Sequence, residues 1–181
     1  VTVDLIVAID PGATGAIAFL DTTGNLLGVE DIPVDRISVG KHSRSRVAIP
    51  KLLALLGQAR GAYGVIEQPT YRPMTRPNAQ TGVPETAAMG VAGAGAFGET
   101  YGCLITACVA CGLSLDEVRP GVWGKAIGLK GGKDDARRMA GNLFPGLSSL
   151  FARVKDHNRA EAALIGFWKA RVLRGTDRKA A

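Results

Sequence analysis

The 181-residue sequence predicts a single α/β domain built on a mixed sheet, and three observations predict it. Two apolar runs, TVDLIVAID over 2–10 and TGAIAFL over 14–20, flank a Pro11-Gly12-Ala13 turn and read as neighbouring strands. Farther along, apolar runs of strand length alternate with helical patterning. With 46% hydrophobic and 21% charged residues, the chain can bury one sizeable core but is short for two. One domain is therefore expected over 1–175, with a polar tail at 176–181.

The segment DTTGN from Asp21 is a hairpin signal, so LLGVEDIP from Leu26 pairs as a third strand and the opening is an antiparallel meander. From Val34 to Arg46 periodicity is lost while Arg36, Lys41, Arg44 and Arg46 accumulate; this predicts a basic loop before a helix over about 47–59. YGVIE, ending in Glu67, is a fourth strand. The stretch after it carries Pro73, Pro77 and Pro84 with Arg72 and Arg76, which suits neither a helix nor a central strand. A long loop directly after an acid suits a substrate-contacting flap.

Residues 85–112 return to helical patterning, with Gly90, Ala94, Gly98 and Gly102 spaced by four. Such a stripe permits close approach by another helix, from within the fold or from a second subunit. LSLDEV at 113–118 is a fifth strand, and Arg119-Pro120 opens a short helix. Gly131-Gly132 separates that helix from another over about 133–142, and the last helix runs from near Asp156 to about Arg174.

A net charge of +6 and a pI near 9.5 suit a polyanionic partner, either nucleic acid or an anionic membrane surface. No apolar run reaches the roughly 20 residues that span a bilayer, and the N-terminus lacks the pattern of a secretion signal. A soluble, cytoplasmic protein without a membrane partner is expected. Cys103, Cys108 and Cys111 crowd into one apolar helix, where reduced, packed thiols are expected. Cys108-x-x-Cys111 lacks the second pair of a zinc site.

Chemistry is concentrated where three distant segments each place acid at the mouth of an apolar element: Asp10, Glu67, and the group Asp156, His157 and Glu161. Helix geometry puts His157 and Glu161, four apart, on one face. Singly, Asp10 suits a turn, Glu67 a sheet-edge ion pair, Asp156 an N-cap and Glu161 a solvated helix. Together they suit a divalent-metal site, because hard oxygen donors are what Mg²⁺ takes.

Five blocks carry a family resemblance: IDPGATGAIAFLD at 9–21, VIEQP at 65–69, VRPGVWGKAIGLKGGKDDARR at 118–138, NLFP at 142–145 and KDHNRAEAALIGFW at 155–168. In that order they resemble the RuvC-type Holliday junction resolvases, and in particular their phage and plant-organelle branch. The resemblance implies a ribonuclease H-like fold, an α/β architecture whose five-stranded mixed sheet has its first three strands antiparallel and helices on its flanks. It implies a homodimeric, magnesium-dependent endodeoxyribonuclease that cuts four-way junctions in DNA by paired nicks. Two Mg²⁺ ions per site, replaceable by Mn²⁺, would be bridged by Asp10, with Glu67 and Glu161 each completing one sphere.

The last helix departs from the bacterial pattern, since the position three before Glu161 is Asn158 where that pattern has an aspartate. The fourth ligand is then Asp156 or His157, and the place of His157 on the face of Glu161 favours it. Lys133, at the start of a basic helix, is the lysine expected at the scissile phosphate, with Lys125 and Lys130 as the alternatives. Tyr71, Arg72, Arg76, Lys125, Lys130, Arg137, Arg138, Lys155 and Arg159 are the expected DNA contacts. The helix bearing Gly90, Ala94, Gly98 and Gly102 is the expected dimer surface. Competing readings are a nuclease for flaps and other branched DNA, and a non-cleaving DNA-binding protein of the same fold. An actin-like or sugar-kinase ATPase, suggested by Asp-Pro-Gly-Ala-Thr-Gly, needs a second duplicated domain for which the chain has no room.

Overall fold

The computed structural model describes residues 4–40, 42–70, 74–77, 81–87 and 90–176, with the backbone alone at 39, 74–77 and 84–87. The chain opens with β1 (Leu5–Asp10), β2 (Ala16–Asp21) and β3 (Leu26–Asp31), and continues through β4 (Val34–Val39), β5 (His42–Val47) and helix α1 (Ile49–Gly57). Then come β6 (Tyr63–Glu67), β7 (Met74–Pro77), β8 (Pro84–Ala87), α2 (Val91–Ala110), β9 (Ser114–Val118) and α3 (Pro120–Ala126). The chain ends with α4 (Lys133–Leu143), 3-10 turns at Pro145–Phe151 and Val154–Asp156, and α5 (His157–Leu173).

Five strands form the central sheet in the order β3-β2-β1-β6-β9. The first three are antiparallel, as the DTTGN hairpin signal requires, while β6 runs parallel to β1 and β9 parallel to β6. Side chains alternate across a strand, so the sheet has two cores. Val7, Ile9, Ile17 and Ile66 pack with Leu52 and Leu56 of α1 and Leu104 of α2. Ile6, Ala8, Leu20 and Val65 pack on the other face with Ala163 and Leu164 of α5, Trp123 of α3 and Ala136 of α4. Each buried Ile, Leu or Val contributes about 1.5–3 kcal/mol to the hydrophobic term.

Helix α5 lies hard against this second face. A Cβ added at Gly166 would sit 2.1 Å from a methyl of Leu20 and 3.1 Å from the Cβ of Ala8. Only a residue with no side chain permits that approach, and Ala160, Ala162 and Ala163 keep the rest of the contact face thin.

Two expectations need correction. Residues 34–46 are a hairpin and not a loop: β4 and β5 pair in register, Arg36 opposite Ser45 and Val39 opposite His42. Gly40, at φ 61°, allows the tight turn between them. Two of its arginines are held, since Arg44 and Arg46 both bind Glu99 of α2, at 2.8 and 2.6 Å. The helix predicted from residue 85 begins only at Val91, because Pro84–Ala87 pairs with Met74–Pro77 as a ribbon within the proline-rich stretch. Pro77 faces Pro84 at one end of this ribbon, outside the central sheet, where the lack of an N–H is tolerated. Tyr71, Arg72 and the last residues of the tail lie outside the described residues; Arg76 falls on β7.

Gly90 caps the start of α2, and among the described residues a Cβ built on Gly90, Gly98 or Gly102 meets nothing within 4 Å. The cysteines are free thiols, and burial pushes that of Cys108 up to about 12. No helix among the described residues is long and apolar enough to cross a membrane.

Candidate active site

Parallel pairing explains why two acids from distant segments meet. Ile9 of β1 is opposite Ile66 of β6, so the next residues, Asp10 and Glu67, end neighbouring strands at the same edge of the sheet. Two-residue alternation then turns both toward the α5 face, with Ala8 and Val65. Asp10 is opposite Ala16, whose small side chain leaves room beside it.

The first turns of α4 and α5 close over that edge. Glu161 sits one turn into α5, and its charge acts on both Asp10 and Glu67. Asp10 is buried, and burial, followed by the repulsion of Glu161 and Glu67, raises its carboxyl well above the usual range, while Lys133 opposes the rise. Burial likewise raises Glu67, to about 7; a hydrogen bond from Trp123 opposes the shift and Glu161 adds to it. Glu161 is raised by burial, with His157 and Lys133 pulling the other way.

Lys133 is the first residue of α4, where the helix dipole disfavours a cation. Its neighbours account for it: the ammonium is 2.8 Å from Nε2 of His157 and acts electrostatically on Asp10 and Glu161. Five of the sequence-nominated residues thus come together: Asp10, Glu67, Lys133, His157 and Glu161.

Asp156 does not join them. It is buried at the head of α5, where one carboxylate oxygen accepts the Arg153 backbone N–H at 2.8 Å and the other accepts a guanidinium N–H at 2.8 Å. The Arg153 guanidinium holds its carboxyl below the usual range. Asn158, where the bacterial pattern has an acid, donates through Nδ2 to the carbonyl of Thr14 at 2.5 Å and so ties α5 to the turn after Asp10.

The nominated phosphate contacts separate into two groups. Arg137 donates to the carbonyl of Ala152 at 3.2 Å and to Asp134 at 2.7 Å, fastening α4 to the segment before α5. Arg159 forms a two-pronged pair with Asp31 of β3, at 2.6 and 2.8 Å. Arg138 pairs with Asp135 yet keeps most of its side chain exposed. Lys125, Lys130 and Lys155 are exposed, and no described residue forms an ion pair with them.

Sequence reasoning missed Trp123, whose indole N–H donates to Oε1 of Glu67 at 2.6 Å. It also missed Asn158 as a tether. The available signal for Trp123 was its polar N–H in an otherwise apolar run after Pro120, which a buried indole must satisfy.

A ribonuclease H-like α/β fold with acids gathered at one sheet edge is the class that these features define. No protein-family model matches the chain, and no curated protein matches it significantly. Among solved structures it is similar to Thermus thermophilus RuvC, with 16% identity, a TM-score of 0.52, and 95% of this chain and 97% of that one covered. It is also similar to T. thermophilus RuvC in complex with a Holliday junction substrate, with 14% identity, a TM-score of 0.55, and 95% and 96% covered. At these identities the likeness is one of fold.

The donor set fits a hard divalent cation: three carboxylates on rigid elements, each destabilised by burial. Among the described residues no three His, Cys, Asp or Glu side chains stand preassembled as a ligand cage. Ligation of one ion by all three acids therefore requires side-chain adjustment.

Proposed function

We propose that this chain is a divalent-metal-dependent endonuclease for branched DNA, with the four-way junction as its principal substrate, acting as a homodimer. The convergence of Asp10, Glu67 and Glu161 carries the reading, because each is destabilised by burial and the group by mutual repulsion. Gathered like charges of this kind favour a bound cation, and oxygen donors suit Mg²⁺ or Mn²⁺.

Asp10, Glu67 and Glu161 would hold the ions, with Asp10 as the ligand that both would share. His157 is the fourth ligand in this reading, with Nε2 freed for the ion when the Lys133 ammonium moves to the phosphate, whereas both oxygens of Asp156 are closed on Arg153. The bound ions would supply an activated water and charge neutralisation at phosphorus. Lys133 contacts the scissile phosphate from the head of α4. Lys125, Lys130 and Lys155, with Arg138 at the rim, bind the DNA backbone, and Tyr71, Arg72 and Arg76 join them on sequence grounds alone. Arg137 and Arg159 act through the fold. Open space above Gly98 and Gly102 of α2 suits a second copy of this helix as the dimer partner.

Incubation of a labelled four-way junction, beside matched flap and linear duplex DNA, with Mg²⁺ or EDTA tests the reading. Paired symmetric nicks in the junction that vanish in EDTA are expected. Equal cutting of flaps makes the protein a general branch nuclease, and tight binding without cutting makes it a non-cleaving junction binder.

A further inference from the structure

We propose that Trp123 is a positioning residue for Glu67, holding one carboxylate oxygen so that the other alone is presented to the cation. This rests on the metal-dependent reading above. Glu67 is opposite Val118 in the parallel β6–β9 pair, and the Gln68 N–H continues the ladder to the Val118 carbonyl at 2.7 Å. Arg119 and Pro120 then start α3, which returns Trp123 over the end of β6. Sheet register and one helical turn therefore fix which indole meets which acid.

The indole cannot swing away. Trp123 is 4% exposed and packs in the cluster containing Val118, Ala136, Ala140 and Phe144. Its N–H can only donate, and leaving a buried donor unsatisfied costs about 1–3 kcal/mol. Oε1 of Glu67 accepts it at 2.6 Å, and among the described residues it is the only hydrogen bond to that carboxylate. A phenylalanine would fill much of the same volume, so the distinctive contribution of tryptophan is the N–H. With Oε1 committed, Glu67 is a ligand of fixed direction, and two-oxygen chelation is disfavoured.

Two measurements on the full chain test this. The protein has two tryptophans, so indole-¹⁵N labelling gives two side-chain resonances, assigned with Trp168→Phe. Trp168 lies seven residues beyond Glu161, roughly 10 Å along the helix axis. On titration with Mg²⁺ the Trp123 resonance should shift saturably while remaining in its hydrogen-bonded position, with Trp168 nearly still. Calorimetry should show Trp123→Phe weakening Mg²⁺ binding about tenfold, the scale of a lost ligand-orienting hydrogen bond. In a Glu67→Ala background, which has no acceptor for the indole, the same change should have no further effect.

Equal weakening in both backgrounds would make Trp123 a packing residue and overturn the inference. An unmoved Trp123 resonance with Mg²⁺ bound, or unchanged affinity in Trp123→Phe, would do the same while leaving the nuclease reading intact. Absence of Mg²⁺ binding by the unaltered protein would instead remove that reading and this one with it.

Discussion

The ammonium of Lys133 stands 2.8 Å from Nε2 of His157, whose Nδ1 is 3.0 Å from the carbonyl of Val154. A carbonyl only accepts and an ammonium only donates, so in this pair of contacts Nδ1 donates to Val154 and Nε2 accepts from Lys133. Lys133 and His157 are the first residues of α4 and α5, so the contact locks two helix starts together over the sheet edge. Lys133→Met should lower single-turnover junction cleavage by about 100-fold, the range of an electrostatic contact at a reacting phosphate. Gel-shift affinity should change less than about threefold, since one phosphate contact among many is lost. Parallel loss of binding and cutting would reduce Lys133 to a general DNA contact.

Asp10→Asn and Glu161→Gln should each abolish detectable cleavage, a fall of about 1,000-fold or more, with junction affinity intact. Carboxylates that hold a cation do not hold phosphate. Because each substitution removes a buried charge from a repelling group, both variants should also melt at a higher temperature than the parent in EDTA. Scanning calorimetry checks this, and a lower melting temperature would mean that the acids are held by favourable partners.

Stability should depend on pH through Glu67. Its carboxyl is raised from 4.5 to about 7, so between those values the folded protein binds a proton that the unfolded chain has released. The Glu67 contribution is therefore level below about pH 4.5, falls as pH rises through the window, and is fully lost above about pH 7. The full span is worth at most about 3 kcal/mol. Asp10 and Glu161 shift in the same direction and steepen the fall. Urea midpoints in EDTA should drop from pH 5 to pH 8, Glu67→Gln should flatten the curve, and Mg²⁺ should recover the lost stability at pH 8.

Asn158→Asp, which restores the acid of the bacterial pattern, should impair the protein. The Asn158 amide donates to the Thr14 carbonyl, and a carboxylate there would set acceptor against acceptor. A destabilisation of about 1–2 kcal/mol is expected, together with slower cleavage as the turn after Asp10 loosens. Chemical denaturation and single-turnover kinetics measure the two effects, and faster cleavage would show that an acid at this position is an effective ligand.

The central sheet was legible because its strands are apolar runs with turn residues between them, and Asp10 and Glu67 stand where two of those runs stop. Glu161 was legible through the block around it. The β4–β5 hairpin was not, because its strand HSRSRV alternates serine with arginine and leaves no apolar stripe to read. The pairs that complete the site were beyond reach for another reason. Trp123 with Glu67 and Asn158 with Thr14 are separated by 56 and 144 residues, and only sheet register and helix docking bring such partners together. The partners of Arg137 and Arg159, namely Ala152, Asp134 and Asp31, were likewise beyond the reach of a reading from charge alone.

The bare backbone at Gly166 has a bearing on how this protein tolerates change. Glu161 and Gly166 share one helix, and Gly166 touches Leu20 and Ala8 of the sheet that carries Asp10. The gap between the acid on the helix and the acid on the strand is therefore gauged by the helix main chain at 166 resting on the Leu20 side chain and the Cβ of Ala8. Remodelling the opposite face, around Leu52, Leu56 and Leu104, leaves that gauge untouched. Adding one methyl group at 166 resets it, so the ruler for the chemistry is a position with no functional group at all.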